Sequence, residues 1–154
     1  MLKVVAMKKL LGWVLVIFLF IAISSHTSLK PHGMHTIEGT WELQSFYNFD
    51  GQNITDTIPT AEGYRQIKMY YNGKVIWARV DPRAPTGRFG YGTYRITDTE
   101  LTEKIEFGDA AFMAALDTLR IFTFELQLKD ETFSQITVDE DGNRTFSENY
   151  LRID

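Results

Sequence analysis

From residue 37 to residue 153 the chain alternates apolar and polar side chains with a period of two. That is the spacing of a strand with one buried face, not the 3.6 of a helix. Runs of aromatic and β-branched residues, separated by turn residues, predict eight strands: 37–49, 63–71, 74–80, 89–97, 101–107, 119–128, 132–138 and 144–153. Asp50-Gly51 ends the first. Asn72-Gly73 joins the second to the third, because both residues tolerate the positive φ of a two-residue hairpin. Asp98-Thr99-Glu100, Lys129-Asp130-Glu131 and Asp141-Gly142-Asn143 make later turns, and "DPRAPTGR" (81–88) is a loop shaped by its prolines. No long helical crossover separates any pair, so the hairpins form a meander. A meander of eight strands closes into an up-and-down antiparallel β-barrel, which removes the exposed edges. The expected fold is all-β, one domain over residues 37–154.

Two segments break the period. "GDAAFMAALDTL" (108–119) is Ala-rich and predicts a short helix near 109–118, capped by Asp109, with Phe112, Met113 and Leu116 on one face. It is either a connection packed on the barrel or a lid over its open end. At the N-terminus, Lys3, Lys8 and Lys9 precede the uncharged run "LLGWVLVIFLFIAI" (10–23), and Ala22-Ile23-Ser24 offers a small-x-small cleavage site. This reads as a secretory signal peptide with a hydrophobic signal helix over 1–24. The run is short for a helix that must cross ~30 Å of hydrocarbon. Residues 25–36, "SHTSLKPHGMHT", form a polar linker. The protein is expected to be exported, periplasmic or extracellular. The alternative is an anchor formed by residues 10–23 if cleavage fails, which is the one membrane contact expected.

Composition narrows the chemistry. The 154 residues include no cysteine, which removes disulfides, thiolate metal sites, cysteine nucleophiles and a lipid-bearing cysteine. The core alone must stabilise an exported domain of this size. The chain has 16 basic and 20 acidic residues, and loss of the three signal lysines leaves 13 against 20, a net charge near −7. That balance argues against nucleic acid and anionic membrane surfaces as partners. His26, His32 and His35 all precede the barrel, so the domain has no histidine for a Ser-His-Asp triad, haem or catalytic zinc. No enzymatic activity, cofactor or metal is expected. Asp139–Asn143 begins like a calcium loop but lacks the terminal Glu, and reads as a solvated hairpin turn.

Gly39-Thr40-Trp41, at the head of the first strand, resembles the Gly-x-Trp signature of the lipocalin and calycin superfamily. The resemblance implies that Trp41 closes one barrel end and that Arg152, from the last strand, packs across it, with Gly39 completing the closure. "VIWARVDP" (75–82), "GYGTYRI" (90–96) and "LTEKIEF" (101–107), in that order, are similar to a group of secreted bacterial lipocalin-like domain proteins of unassigned role. The resemblance spans about residues 37 to 152 and bears on fold more than on function.

Alternation assigns faces. Ile37, Gly39, Trp41 and Leu43 turn inward together; so do Leu101, Glu103, Ile105 and Phe107, and Val75, Trp77 and Arg79. Glu103 and Arg79 are therefore expected inside the barrel, where each could satisfy the other. They are either the polar anchor of an apolar pocket or a structural ion pair. Gly90 and Gly92 are expected to relieve a bend or admit a neighbouring ring. Arg83 and Arg88 of the Pro-rich loop could steer an anionic ligand. The expected function is non-covalent binding of a small, partly apolar or amphiphilic ligand, lined by Arg79, Glu103, Trp77 and Tyr94. The alternative is a filled barrel that serves as a protein–protein interaction module in the cell envelope.

Overall fold

The computed structural model describes residues 36–154; the expected signal peptide (1–24) and the expected linker up to residue 35 lie outside them. Nine strands run in chain order: β1 (Gly39–Gly51), β2 (Ile54–Pro59), β3 (Arg65–Tyr71), β4 (Lys74–Val80), β5 (Arg88–Ile96), β6 (Glu100–Gly108), β7 (Ile121–Leu128), β8 (Thr132–Val138) and β9 (Arg144–Arg152). The single helix among the described residues, α1 (Ala110–Leu116), connects β6 to β7. Every pairing is antiparallel. The order β1-β3-β4-β5-β6-β7-β8-β9 returns to β1 through the β1–β9 pairing, so eight strands close a ring.

β2 is the addition to the expected eight. It pairs with Ser45–Phe49 of β1, on the edge that β3 occupies only at Gly39–Glu42. Its six residues are all exposed, so it carries no buried face and no alternation betrays it. A second departure concerns Phe107. The register shifts between Tyr91 and Gly92, which face Phe107 and Ile105 respectively. The extra residue, Glu106, turns Phe107 outward onto Tyr91, ring centroids 4.9 Å apart.

The main core lies at the end where β1 enters and β9 leaves, built from Ile37, Trp41, Leu43, Tyr70, Val75, Leu101, Leu126, Phe133 and Tyr150. Trp41 is fully buried and its indole N–H donates to the Ile37 carbonyl at 2.8 Å. The Arg152 guanidinium lies over the Trp41 ring at 4.1 Å. Its N–H groups donate to the carbonyls of Glu38 (2.8 Å), Thr36 (3.0 Å) and Asp130 (3.0 Å). Gly39 makes this possible. Its φ is +142°, and a Cβ there would fall 2.1 Å from Arg152 Nη1. On the far wall, a Cβ at Gly90 would meet the Trp77 indole at 2.6 Å, so this glycine admits the ring.

Candidate functional site

Moving from the closed end towards the other, the inward positions turn polar. β3 contributes Gln66 and Lys68, β6 Glu103, β8 Gln135 and β9 Glu148. All but Glu148 are buried. Lys68 Nζ donates to Glu103 Oε1 (3.0 Å), Glu103 Oε2 (3.2 Å) and Gln135 Oε1 (2.6 Å), so its three donors are all used. It also lies 5.7 Å from the Tyr150 ring and 6.0 Å from that of Phe124. The Tyr70 hydroxyl donates to Glu103 Oε1. Gln135 continues to Glu148 Oε2 (2.9 Å), which also accepts from the Tyr150 hydroxyl. That hydroxyl accepts from Gln66 Nε2 at 2.6 Å, and Gln66 Oε1 accepts from Tyr64 at 2.9 Å. One connected network thus floors the barrel interior, and no buried side-chain polar atom among the described residues lacks a partner.

Above this floor is a cavity of about 200 Å³. Its apolar wall is Trp77, Ile105, Phe122 and Phe124, extended by Phe112 and Leu116 of α1. The helix therefore roofs part of the open end. Asp109 caps it by accepting from the Phe112 amide (2.9 Å) and ties it to β5 by accepting from the Phe89 amide (3.1 Å). Those two amides, the Phe112 bond foremost, hold the Asp109 carboxyl below the usual aspartate range. Phe112 meets Trp77 edge to face at 4.7 Å.

The expected site residues are only partly brought together. Trp77, Arg79 and Glu103 line the cavity. Tyr94 does not; its ring packs on Tyr70 at 4.9 Å, beneath the polar floor. The expected ion pair is also corrected. The cation on Glu103 is Lys68, which lies directly opposite Trp77 in the β3–β4 register, not Arg79. Arg79 makes no ion pair among the described residues. Its guanidinium sits 5.8 Å from the Trp77 ring centre, half-buried. Arg83 is committed to Asp81, with both guanidinium contacts at 2.9 Å, and holds that carboxyl down to about 2. Among the described residues no cluster of His, Asp or Glu is placed to hold a metal ion.

Burial, reinforced by the charges of Glu103 and Glu148, pushes the phenols of Tyr70 and Tyr150 well above their ordinary 10. A raised acid retains its proton in the folded state after the unfolded chain has lost it. The stabilisation is complete below pH 10 and declines as pH rises beyond it. Denaturant midpoints measured from pH 8 to 12 should be flat with respect to these groups at first and fall above 10. Phenolate absorbance should show two tyrosines that ionise only with unfolding. Full ionisation of all folded-state tyrosines near 10 would contradict the network.

The comparisons with known proteins bear on the architecture. A crystal structure of a lipocalin-like protein from Bacteroides uniformis superposes with a TM-score of 0.52 at 12% identity, over 75% of this chain and 97% of that one. The fold is lipocalin-like. A crystal structure of an uncharacterized protein from Bacteroides eggerthii matches this lipocalin-like barrel equally well, TM-score 0.52 at 13% identity, over 75% of this chain and 98% of that one. No protein-family model and no curated protein matches the sequence.

Proposed function

We propose that this chain is an exported lipocalin-like binding protein that holds a small, partly apolar acid non-covalently inside its barrel and carries out no reaction on it. The observation that carries this reading is Arg79. Every other charged side chain lining the cavity is engaged by the floor network, whereas this guanidinium makes no ion pair among the described residues and has only the Tyr64 hydroxyl and the more distant charge of Asp81 beside it. It stands beside a wall of rings and aliphatic groups, the composition of a small-molecule site with one orienting charge. The volume limits the guest. Cavities of about 150 Å³ accept a benzene-sized molecule, so about 200 Å³ suits a single ring or a short chain rather than a long acyl tail. The carboxylates do not suggest acid–base work: Glu103 is occupied by Lys68 and Tyr70, and Glu148 by Gln66, Gln135 and Tyr150. Export rests on the basic-then-apolar segment at 3–23, which would otherwise remain as an anchor.

Native mass spectrometry of protein released from its own envelope is the direct test, together with thermal shift against benzoate, phenylacetate and octanoate. A retained acid, with at least about tenfold weaker binding in Arg79→Ala, a loss of about 1.4 kcal/mol, is the expected result. A clean apo mass and no shift with any of the three would reject this reading in favour of the interaction module. The observation behind that second reading is an apolar stripe on the outer face. Met69, Ile76, Tyr91 and Phe107 are successive cross-strand neighbours on β3 to β6, and Met69, Ile76 and Phe107 are exposed.

A further inference from the structure

The outer face of β1, β9, β8 and β7 carries a second concavity, of about 430 Å³, separate from the barrel interior. Side chains here point away from the core: Ser45 faces Asn149, Tyr47 faces Ser147, Ile136 faces Ser147 and Ser134 faces Asn149 across the registers. An outer barrel face is ordinarily solvated, yet Ile136 and Ser147 are 1% exposed and Asn149 8%. The sequence builds the depression by size. Its floor uses short side chains, and its wall is raised by Tyr47 and Phe49, which meet at 6.5 Å.

We infer that this groove is a binding site for a neutral saccharide. Three features select that class. The floor is pre-set: Asn149 Oδ1 accepts from Ser134 (2.8 Å) and Ser147 (3.0 Å), and its Nδ2 donates to the Ser45 carbonyl (3.1 Å). Binding therefore costs little ordering of the site. The charges present cancel: Arg144 forks onto Glu125, which holds that carboxyl below the usual glutamate range and leaves no free charge to recruit an anion. Finally, Tyr47 and Phe49, set edge to face at 64°, offer a single ring face as an apolar platform for the C–H face of a pyranose, while the Gln52 and Gln127 amides at the rim can pair with its hydroxyls. An apolar ligand would leave the Gln52 and Gln127 rim amides without use, and a phosphate would meet no unpaired cation.

The test is a titration of the full chain with maltose, cellobiose, lactose and chitobiose, followed by amide NMR shifts. A saturable shift confined to the amides near Tyr47, Phe49, Ser147 and Asn149 is expected with at least one of the four. It should weaken at least about tenfold in Tyr47→Ala. Ser134→Leu fills the floor without touching the platform and should abolish binding while the thermal midpoint stays near that of the parent chain. Arg79→Ala should leave it unchanged, because the barrel interior is a different site. No saturable shift up to about 10 mM of any of the four, a range that covers weak millimolar sites, would overturn the inference. So would shifts confined to the barrel lining, or binding that survives both groove variants.

Discussion

Lys68→Ala should destabilise the folded protein by about 3–5 kcal/mol, the cost of leaving a buried carboxylate without its cation. Lys68 and Glu103 are 3% and 4% exposed, and among the described residues the lysine is the one cation within ion-pair distance of Glu103. Tyr70 remains as a donor in the variant, but the two contacts from Nζ are lost with nothing in their place. The pair as a whole need not add much. Taking two charges out of water costs several kcal/mol each, and their attraction does little more than balance that cost. A double substitution, Lys68→Met with Glu103→Leu, should therefore recover most of the loss. Urea unfolding of the four members of this cycle measures the coupling directly. A Lys68→Ala penalty below about 1 kcal/mol would mean that water reaches Glu103 through the cavity and screens it, and the floor would then be a solvated wall rather than a sealed one.

The second large effect is expected at the other end. Trp41→Ala should cost about 3–5 kcal/mol, the range for truncating a fully buried large aromatic. Three separate supports go with the indole: the edge contact with Phe133 at 4.9 Å, the platform for Arg152 and the N–H bond to Ile37. Trp41→Phe keeps the first two in weakened form and should cost less. Denaturant midpoints separate the two variants, and the near-ultraviolet dichroism of Trp77, which lies by the cavity rather than at the closed end, should keep its folded-state signature in both. A Trp41→Ala variant as stable as the parent would show that the closure is held by backbone pairing alone.

The alternation along the chain made the ring legible, because a strand with one buried face writes its period into the sequence. Eight strands, their turns and the short helix were readable on that basis. β2 was not, since none of its side chains is buried and its existence depends on Ser45–Phe49 having a vacant edge. Phe107 departs from its expected inward face because a bulge resets the period within a single strand, and hydrophobicity cannot reveal which residue is extra.

The floor shows a different limit. In "RQIKMYY" the apolar Ile67 and Met69 alternate with Gln66 and Lys68, so the pattern points the wrong set inward. The structure buries Gln66, Lys68 and Tyr70 and exposes Met69. The clue was indirect: an inward Glu103 demands a cation, and Lys68 is as available as Arg79 once Tyr70 is placed inside. Sequence alone could identify the need for a partner but not its address, because the partner is set by register across a ring.

Ring closure also governs when the protein can take shape. The strands that shut it, β1 and β9, meet through Trp41 opposite Arg152, and Arg152 Nη1 reaches back 114 residues to the Glu38 carbonyl. A ribosome or a translocation channel delivers β1 long before β9. Until β9 emerges, β1 lacks the neighbour that covers it from Trp41 to Gly51, and the indole has no guanidinium above it. Folding therefore waits on the tail of the domain, as expected where distant pairings dominate and loop-closure entropy must be met first. During that wait the unfinished sheet has two bare margins, which is the interval in which a holding chaperone would be of most use to it.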